Sequence, residues 1–448
     1  NIFRYEVATG AVAAVSNAES GFFRPVPLAD GTLIVLAYTG DGFVPAVIDP
    51  RPIEDVSAIT FLGAQVAERH PIVKTWQVPS PATVDEEKLI KRAGAYEPMR
   101  NLRVVNGFPV LQGYKDSIGI GYHVNIEDPI RFASVGMTAA VTPDGDLTKD
   151  ERAHFEIFAR YLGLRADLSW NRSDFYDLFG PTKRSRKGYA AKLGYDWIIV
   201  FDDPRKLTAT FDVALYGKID TLPDAQNVQT NFSRLLTGEA GIHYTNTRRS
   251  IGSVEDEKGI ATGAAVTVNR VNGETLAQLR ATFDYGFDLP LPNSSLWLRT
   301  AAGVASGDRD NTVAPFYLGA FGNNYVDNRE IKRYREYYAF PGFGLNELSG
   351  LSFARQMVEW NLPPVVFQSV GTPAFHLTWL RSSLFASALW TDPDRSTFRK
   401  DYANAGAQFD LRFTVLHWYD MTLSIGYAAG FTGGRRSGSE WMVSLKIL

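Results

Sequence analysis

The sequence predicts an all-β protein whose larger part, residues 99–448, is a 16-stranded antiparallel transmembrane β-barrel. Three observations carry this expectation. Apolar and polar residues alternate with period two over repeated runs of about 10 to 15 residues, longer than the ~5–6 of a soluble strand and close to the ~9–11 that cross a bilayer at a tilt. Sixteen such runs can be marked, starting near residues 101, 115, 131, 152, 163, 188, 206, 233, 259, 274, 293, 350, 373, 401, 420 and 436, and a single-chain bacterial barrel has an even number of strands. The chain also ends on a strand, with Trp441, Val443, Leu445 and Ile447 on one face and Glu440, Met442, Ser444 and Lys446 on the other.

The alternation is clearest in four places. Leu279, Ala281, Phe283, Tyr285, Phe287 and Leu289 interleave with Gln278, Arg280, Thr282, Asp284, Gly286 and Asp288. Leu207, Ala209, Phe211, Val213 and Leu215 form a second apolar face, Leu193, Tyr195, Trp197 and Ile199 a third, and Phe409, Leu411, Phe413 and Val415 a fourth. A sheet that spans hydrocarbon has to close on itself, because open strand edges find no partner in lipid. Connections alternate between short turns (Asp202-Asp203-Pro204, Pro290 to Asn293, His417 to Asp420) and long ones (173–187, 220–232, 306–349), as expected of short periplasmic turns and long external loops. Two connections break the pattern: 248–258 is long where a turn is due, and 271–273 is short where a loop is due. Tyr189, Trp197, Trp297, Trp360, Trp379, Trp390, Trp418, Tyr419 and Trp441 lie near run ends or on apolar faces, where interfacial belts form. Pro109, inside the first run, cannot donate to a ladder and fits an edge or weakly paired seam, the alternative being a loop before the barrel.

Composition agrees. Of 448 residues 45% are hydrophobic and 21% charged, which excludes a disordered chain. The net charge of −3 gives no electrostatic reason to expect nucleic acid. Aromatics reach 13%, in keeping with a β protein that carries girdles. No window is long and apolar enough for a transmembrane helix, which says nothing against strands. Cysteine is absent.

Residues 1–76 read as a separate unit of short strands, split at Thr9-Gly10, Asp30-Gly31 and Gly40 to Gly42. The wording IFRYEVATGAVAAVSN, followed by FFRPVPLADGTLIVLAYTGDGF, resembles the repeat of TolB-like periplasmic β-propellers. The resemblance implies the last blades of a partial β-propeller, with the remaining blades upstream, so that the chain is expected to be a fragment. An isolated small β domain is the alternative. Residues 77–98, with Pro79, Pro81 and the run Asp85 to Lys88, read as a linker and short helix.

The longest connection contains FYLGAFGNNYVDN (Phe316 to Asn328) and YYAFPGFGLNELSGLSFARQMVEWNLPP (Tyr337 to Pro364). This resembles the bacterial surface antigen superfamily, the BamA-type outer-membrane barrels, by architecture over the barrel and by motif over residues 316–364. In that family a luminal loop tip of the form V-R-G-F/Y precedes a strand ending in E-Y/W-R-x-P. Here Phe340, Pro341, Gly342 and Phe343 match the tip, and Glu359-Trp360-Asn361-Leu362-Pro363 the strand end. The family arginine is replaced by Pro341, so an arginine–carboxylate anchor is not supported at that position, and Arg333, Arg335 and Arg355 are the candidates to substitute. The final strand resembles the closing strand read by the assembly machinery, except that Leu448 stands where an aromatic is usual.

The resemblance implies a non-enzymatic protein of the outer membrane, its propeller in the periplasm, engaged in protein (or lipid) insertion or translocation. A seam between first and last strands would open, and the loop bearing Gly342-Phe343 would regulate the interior. Expected partners are outer-membrane lipid and lipopolysaccharide, and a periplasmic protein partner or client held by the propeller. The alternative is a passive channel or a membrane anchor for a propeller-type binding domain. An outer-membrane lipase or protease is the third reading, without a nucleophile constellation to support it. No cofactor or metal site is expected: His70, His123, His154, His243, His376 and His417 show no zinc-type spacing. Asp174-Phe-Tyr-Asp177 reads as a polar strand end rather than a cation site. Lys183 to Lys187 reads as a solvated loop, the alternative being a bridge to lipopolysaccharide phosphates.

Overall fold

The computed structural model describes residues 1–18, 21–39, 42–52, 68–72, 86–90, 93–114, 117–143, 147–172, 187–219, 232–323, 326–327 and 331–447. The chain divides into two compact units, Asn1–Tyr96 and Glu97–Leu448.

In the first unit, Phe3–Tyr5 pairs with Val12–Ala14, and Phe22–Pro27, Leu33–Thr39 and Gly42–Ile48 form a three-stranded antiparallel meander. Ile2, Val15 and Val35 make its small core. A propeller blade has four strands, and among the described residues no four-stranded sheet is present in this unit. The short helix is Glu86–Leu89. Pro79, Pro81 and Asp85 lie outside the described residues.

The second unit is one large antiparallel sheet rolled into a barrel. Its strands are β1 (Arg103–Tyr114), β2 (Ser117–Glu127), β3 (Ala133–Val141), β4 (Ala153–Tyr161), β5 (Leu164–Trp170), β6 (Tyr189–Asp202), β7 (Arg205–Gly217), β8 (Arg234–Arg248), β9 (Lys258–Val271), β10 (Glu274–Asp288), β11 (Ser295–Ala305), β12 (Ser352–Asn361), β13 (Phe375–Thr391), β14 (Lys400–Val415), β15 (Tyr419–Thr432) and β16 (Arg435–Ile447). Each pairs with the next in sequence. Three two-residue segments, Val326–Asp327, Val365–Val366 and Gly371–Thr372, add to this sheet. Pro109 lies within β1 opposite Tyr122, in the first strand of the ladder and not in a preceding loop.

The period-two pattern sorts side chains to two faces of opposite character. Leu193, Tyr195, Phe211, Val213, Leu279, Phe283 and Phe409 are exposed on the outer face. Water would not tolerate so continuous an apolar surface, whereas lipid would. The inner face carries Arg165, Asp196, Asp212, Glu239, Arg280, Arg299, Glu359, Arg381 and Asp410, joined in ion pairs. The chain has to provide these pairs because a charge taken out of water needs a partner.

Three details differ from the sequence reading. The alternation of β6 shifts at a bulge between Ile198 and Val200, so the apolar face does not continue through Ile199 in step. Trp297 belongs to no belt: it is buried on the inner face beneath the Arg299 guanidinium, 4.7 Å from the ring centre. Trp379 likewise shares a face with Arg381, which lies 5.0 Å over its ring. Trp197, Trp360, Trp390, Trp418 and Trp441 are exposed. Asp174, Asp177, Lys183 to Arg186 and Leu448 fall outside the described residues.

Candidate functional site: the luminal loop and its ionic anchor

The connection between β11 and β12 spans residues 306–351, and its described residues fold against the inner face. Its two arms are tied together at the base, where Phe316–Leu318 pairs with Leu348–Gly350, and farther along by a bridge between Ala320 and Phe340. The spacing of aromatics in this segment explains why it folds inward. Phe316, Leu318, Phe340, Phe343, Leu348 and Leu351 are all buried and form one core with Ala301 on β11, Phe353 on β12 and Leu389 on β13. Each buried side chain of this size contributes roughly 1.5–3 kcal/mol relative to exposure.

The tip is bound by its backbone. The Gly342 N–H donates to Glu440 Oε2 (3.1 Å), the Phe321 N–H donates to Glu440 Oε1 (3.1 Å), and Asn404 Nδ2 donates to the Pro341 carbonyl (2.8 Å). Glu440 on β16 therefore holds both arms of the loop at once, and Asn404 on β14 holds Pro341 at the tip. Gly342 has φ +95°, and a Cβ there would stand 2.6 Å from the Gly430 backbone nitrogen. Only glycine fits so close to β15 in that conformation.

The second attachment is ionic. Arg335, one of the three arginines singled out in the sequence, pairs with carboxylates. Its Nη2 lies 2.6 Å from Glu359 Oε1 and 2.8 Å from Glu255 Oε2, with Nε 3.0 Å from both Glu359 oxygens. Glu359, fully buried on β12, also accepts from Arg299 Nε (2.6 Å) and Tyr334 Oη (2.7 Å). Lys332 Nζ reaches Glu255 Oε1 at 2.7 Å and Asn361 Oδ1 at 2.8 Å. Arg381 Nε pairs with Asp410 (2.9 Å) and its Nη1 approaches Glu255 (3.7 Å). Arg299 also pairs with Asp284 at 2.5 Å. Four cations (Arg299, Lys332, Arg335, Arg381) thus meet four carboxylates (Glu255, Asp284, Glu359, Asp410). Arg355 plays another part: it donates to the loop carbonyls of Tyr334 (2.6 Å) and Glu336. Arg333 contacts the Tyr338 hydroxyl. The Tyr334 ring stacks on Phe385 with centroids 4.5 Å apart.

Burial sets the electrostatics of the loop and turn. Burial pushes the Lys332 ammonium down to about 8, against the pull of Glu255. Burial raises the Glu255 carboxyl, but Lys332, Arg335 and Arg381 outweigh it and hold the group well below the usual carboxylate range. Burial opposes the charge on Arg335, yet Glu359 and Glu255 hold it above the ordinary guanidinium value.

Sequence motifs led to part of this arrangement. Phe340, Pro341, Gly342, Phe343 and Glu359 lie inside, whereas Trp360 faces outward and donates from Nε1 to Ser294 Oγ (3.0 Å). On β16, Trp441 and Val443 are exposed on the outer face, Leu445 follows on the same side opposite Leu423, and Ile447 is in register with Met421. Glu255, Lys332 and Glu440 were not legible. The one signal for Glu255 was the unexpected length of 248–258. Among the described residues no group of three or more His, Cys, Asp or Glu is placed to hold a metal ion.

No protein-family model matches the chain, and no curated protein matches it. Solved structures give three remote likenesses. CdiB from Acinetobacter baumannii shares 11% identity at TM-score 0.37, over 76% of this chain and 58% of that one. A bacterial polysaccharide outer membrane secretin shares 9% at 0.35, over 76% and 94%. BamA from Haemophilus ducreyi lacking POTRA domains 1-3 shares 12% at 0.38, over 77% and 70%. The chain spans little more than half the length of the CdiB chain.

Two outcomes follow. Glu359→Ala leaves Arg335 and Arg299 without their shared acid, and urea unfolding in detergent will show a loss of about 3–5 kcal/mol, the usual cost of an uncompensated buried charge. Because the folded-state value of Lys332 lies below its unfolded value near 10.5, the unfolded chain binds more protons between pH ~8 and ~10.5. The stability of the wild type relative to Lys332→Met will therefore rise as pH goes from 8 to 10, measured by the same unfolding. A flat difference across that window would contradict the burial of this ammonium.

Proposed function

We propose that the protein is an outer-membrane barrel of the surface antigen type, acting in protein (or lipid) insertion or translocation. One observation supports it above the others: the long loop between the eleventh and twelfth strands lies inside the barrel, and its Phe340-Pro341-Gly342-Phe343 tip is bound by the final strand through Glu440. A loop held by the last strand senses any change at the junction of first and last strands. The outer apolar face supplies the lipid contact, and Trp418 and Tyr419, at a hairpin end, fit a headgroup belt. A periplasmic propeller at the N-terminal side would recruit the partner or client, and lipopolysaccharide would surround the external loops. No enzymatic step is assigned.

A second reading, a passive channel, is favoured by the wall of β5 to β7, where Arg165 pairs with Asp196 (2.9 Å) and Asp212 (3.1 Å) and all three side chains keep more than a third of their surface accessible. Reconstitution separates the two. The insertion reading expects the purified protein in liposomes to accelerate folding of a second barrel protein and to conduct only in brief events. Steady solute-sized conductance without acceleration would replace it with the channel.

The membrane assignment has its own test. Leu279→Arg, on the outer face, will cost about 2–4 kcal/mol if that position meets the hydrocarbon midplane. Folding into vesicles measures this against Asp202→Asn at an exposed hairpin end, for which no such loss is expected.

A further inference from the structure

The loop is gripped from the far side of the barrel. Residues 306–351 enter after Ala305, where β11 ends and β12 begins. The turn 249–257 joins β8 to β9 at the opposite mouth, where Asn361 ends β12 and Ser295 begins β11. Yet Lys332 of the loop touches both Glu255 of that turn and Asn361. The loop thus runs the whole length of β12, ten residues, or roughly 33 Å at about 3.3 Å per residue. This accounts for the excess length of 248–258: a tight hairpin could not carry a side chain back into the interior.

The turn is built to present that side chain. Thr247 Oγ1 donates to Asp256 (2.6 Å), the Ser250 N–H donates to Glu257 (2.8 Å), and Ser253 Oγ donates to the Glu255 carbonyl (2.9 Å). Asn293 Nδ2, from the neighbouring turn, donates to the Ile251 carbonyl (3.2 Å). Of three consecutive acids, Asp256 and Glu257 brace the turn, and Glu255 reaches inward to Lys332, Arg335 and Arg381. The other carboxylates of the anchor, Asp284, Glu359 and Asp410, belong to strands β10, β12 and β14. Glu255 is the member that can be withdrawn without breaking a ladder.

We propose that the 249–257 turn is a latch: its Glu255 holds the luminal loop in place from the opposite mouth, so that displacing the turn frees the loop while the barrel stays folded. The inference rests on the reading of this loop as the element that controls the barrel interior. A binding event at the mouth that carries the short turns would in this way be transmitted across the full height of the barrel.

The chain has no cysteine, which gives a clean assay. Ala339→Cys places one thiol at a fully buried loop position, and its labelling by a membrane-impermeant maleimide is followed on the full chain in liposomes. In the Glu255→Gln background labelling will accelerate at least about tenfold, and Glu255→Asp, which retracts the charge by one methylene, will lie between. Heat-modifiable gel mobility reports that the barrel is intact in each. Unchanged labelling in Glu255→Gln with an intact barrel overturns the latch. Should Glu255→Gln fail to fold, Glu255→Asp at the wild-type rate overturns it equally. The assay contains no client, so faster labelling without any effect on the folding of a second barrel would uphold the latch and count against the insertion role, and the converse would do the reverse.

Discussion

A fully buried carboxylate, Glu359, is the constraint on which the interior depends. Placed on β12 with no access to water, it has to be neutralised, and three donors from two different elements converge on it: Arg299 from β11, and Arg335 and Tyr334 from the loop. Once the guanidinium of Arg335 is fixed there, the loop has to lie in the lumen. Its aromatic residues then fill the space between β11 and β14, and its tip comes within reach of β16. Breaking one partner of such a cluster is costly because the others remain buried and charged.

Besides the short backbone pairing of Val326–Asp327 with β16, the loop is held in three chemically distinct ways. A buried aromatic core surrounds Phe340 and Phe343. A hydrogen-bond clamp, in which Glu440 and Asn404 bind backbone groups, holds the tip. An ionic anchor holds the segment 332–335. The tip clamp shows how Pro341 is accommodated: with no side chain to pair, the residue offers its carbonyl to Asn404, and its neighbour Gly342 offers an N–H to Glu440. A guanidinium that meets the carboxylates stands six residues before Pro341, at Arg335.

Much of the barrel was legible because the period of two is enforced by its surroundings on both faces. Leu279, Phe283 and Tyr285 face outward while Arg280 and Asp284 face inward, and a register slip would put charge where apolar side chains belong. The sixteen runs start within a residue or two of β1 to β16. The exceptions are physical. Trp297 and Trp379 look like belt residues in sequence, but each lies under an arginine on the inner face. The bulge in β6 resets the alternation at an apolar run, Trp197 to Phe201, where composition carries no register information. Within the site, Gly342, Phe343 and Glu359 were found through a motif. Glu440 reads as an ordinary inward polar residue of the last strand, and Glu255 as one acid among three, since nothing local marks which carboxylate will meet a loop more than seventy residues away.

Which face of the sheet meets lipid decides where the loop and its ionic anchor lie. The most direct measurement places a fluorophore on a single cysteine, at Val213→Cys on the outer face and separately at Thr210→Cys on the inner face of the same strand, in the protein reconstituted into liposomes. Nitroxide lipids should quench the Val213 probe and leave the Thr210 probe open to an aqueous quencher. Equal quenching of both probes from water, or lipid quenching at Thr210, would contradict the assignment of the two faces and with it the placement of the loop in an enclosed interior.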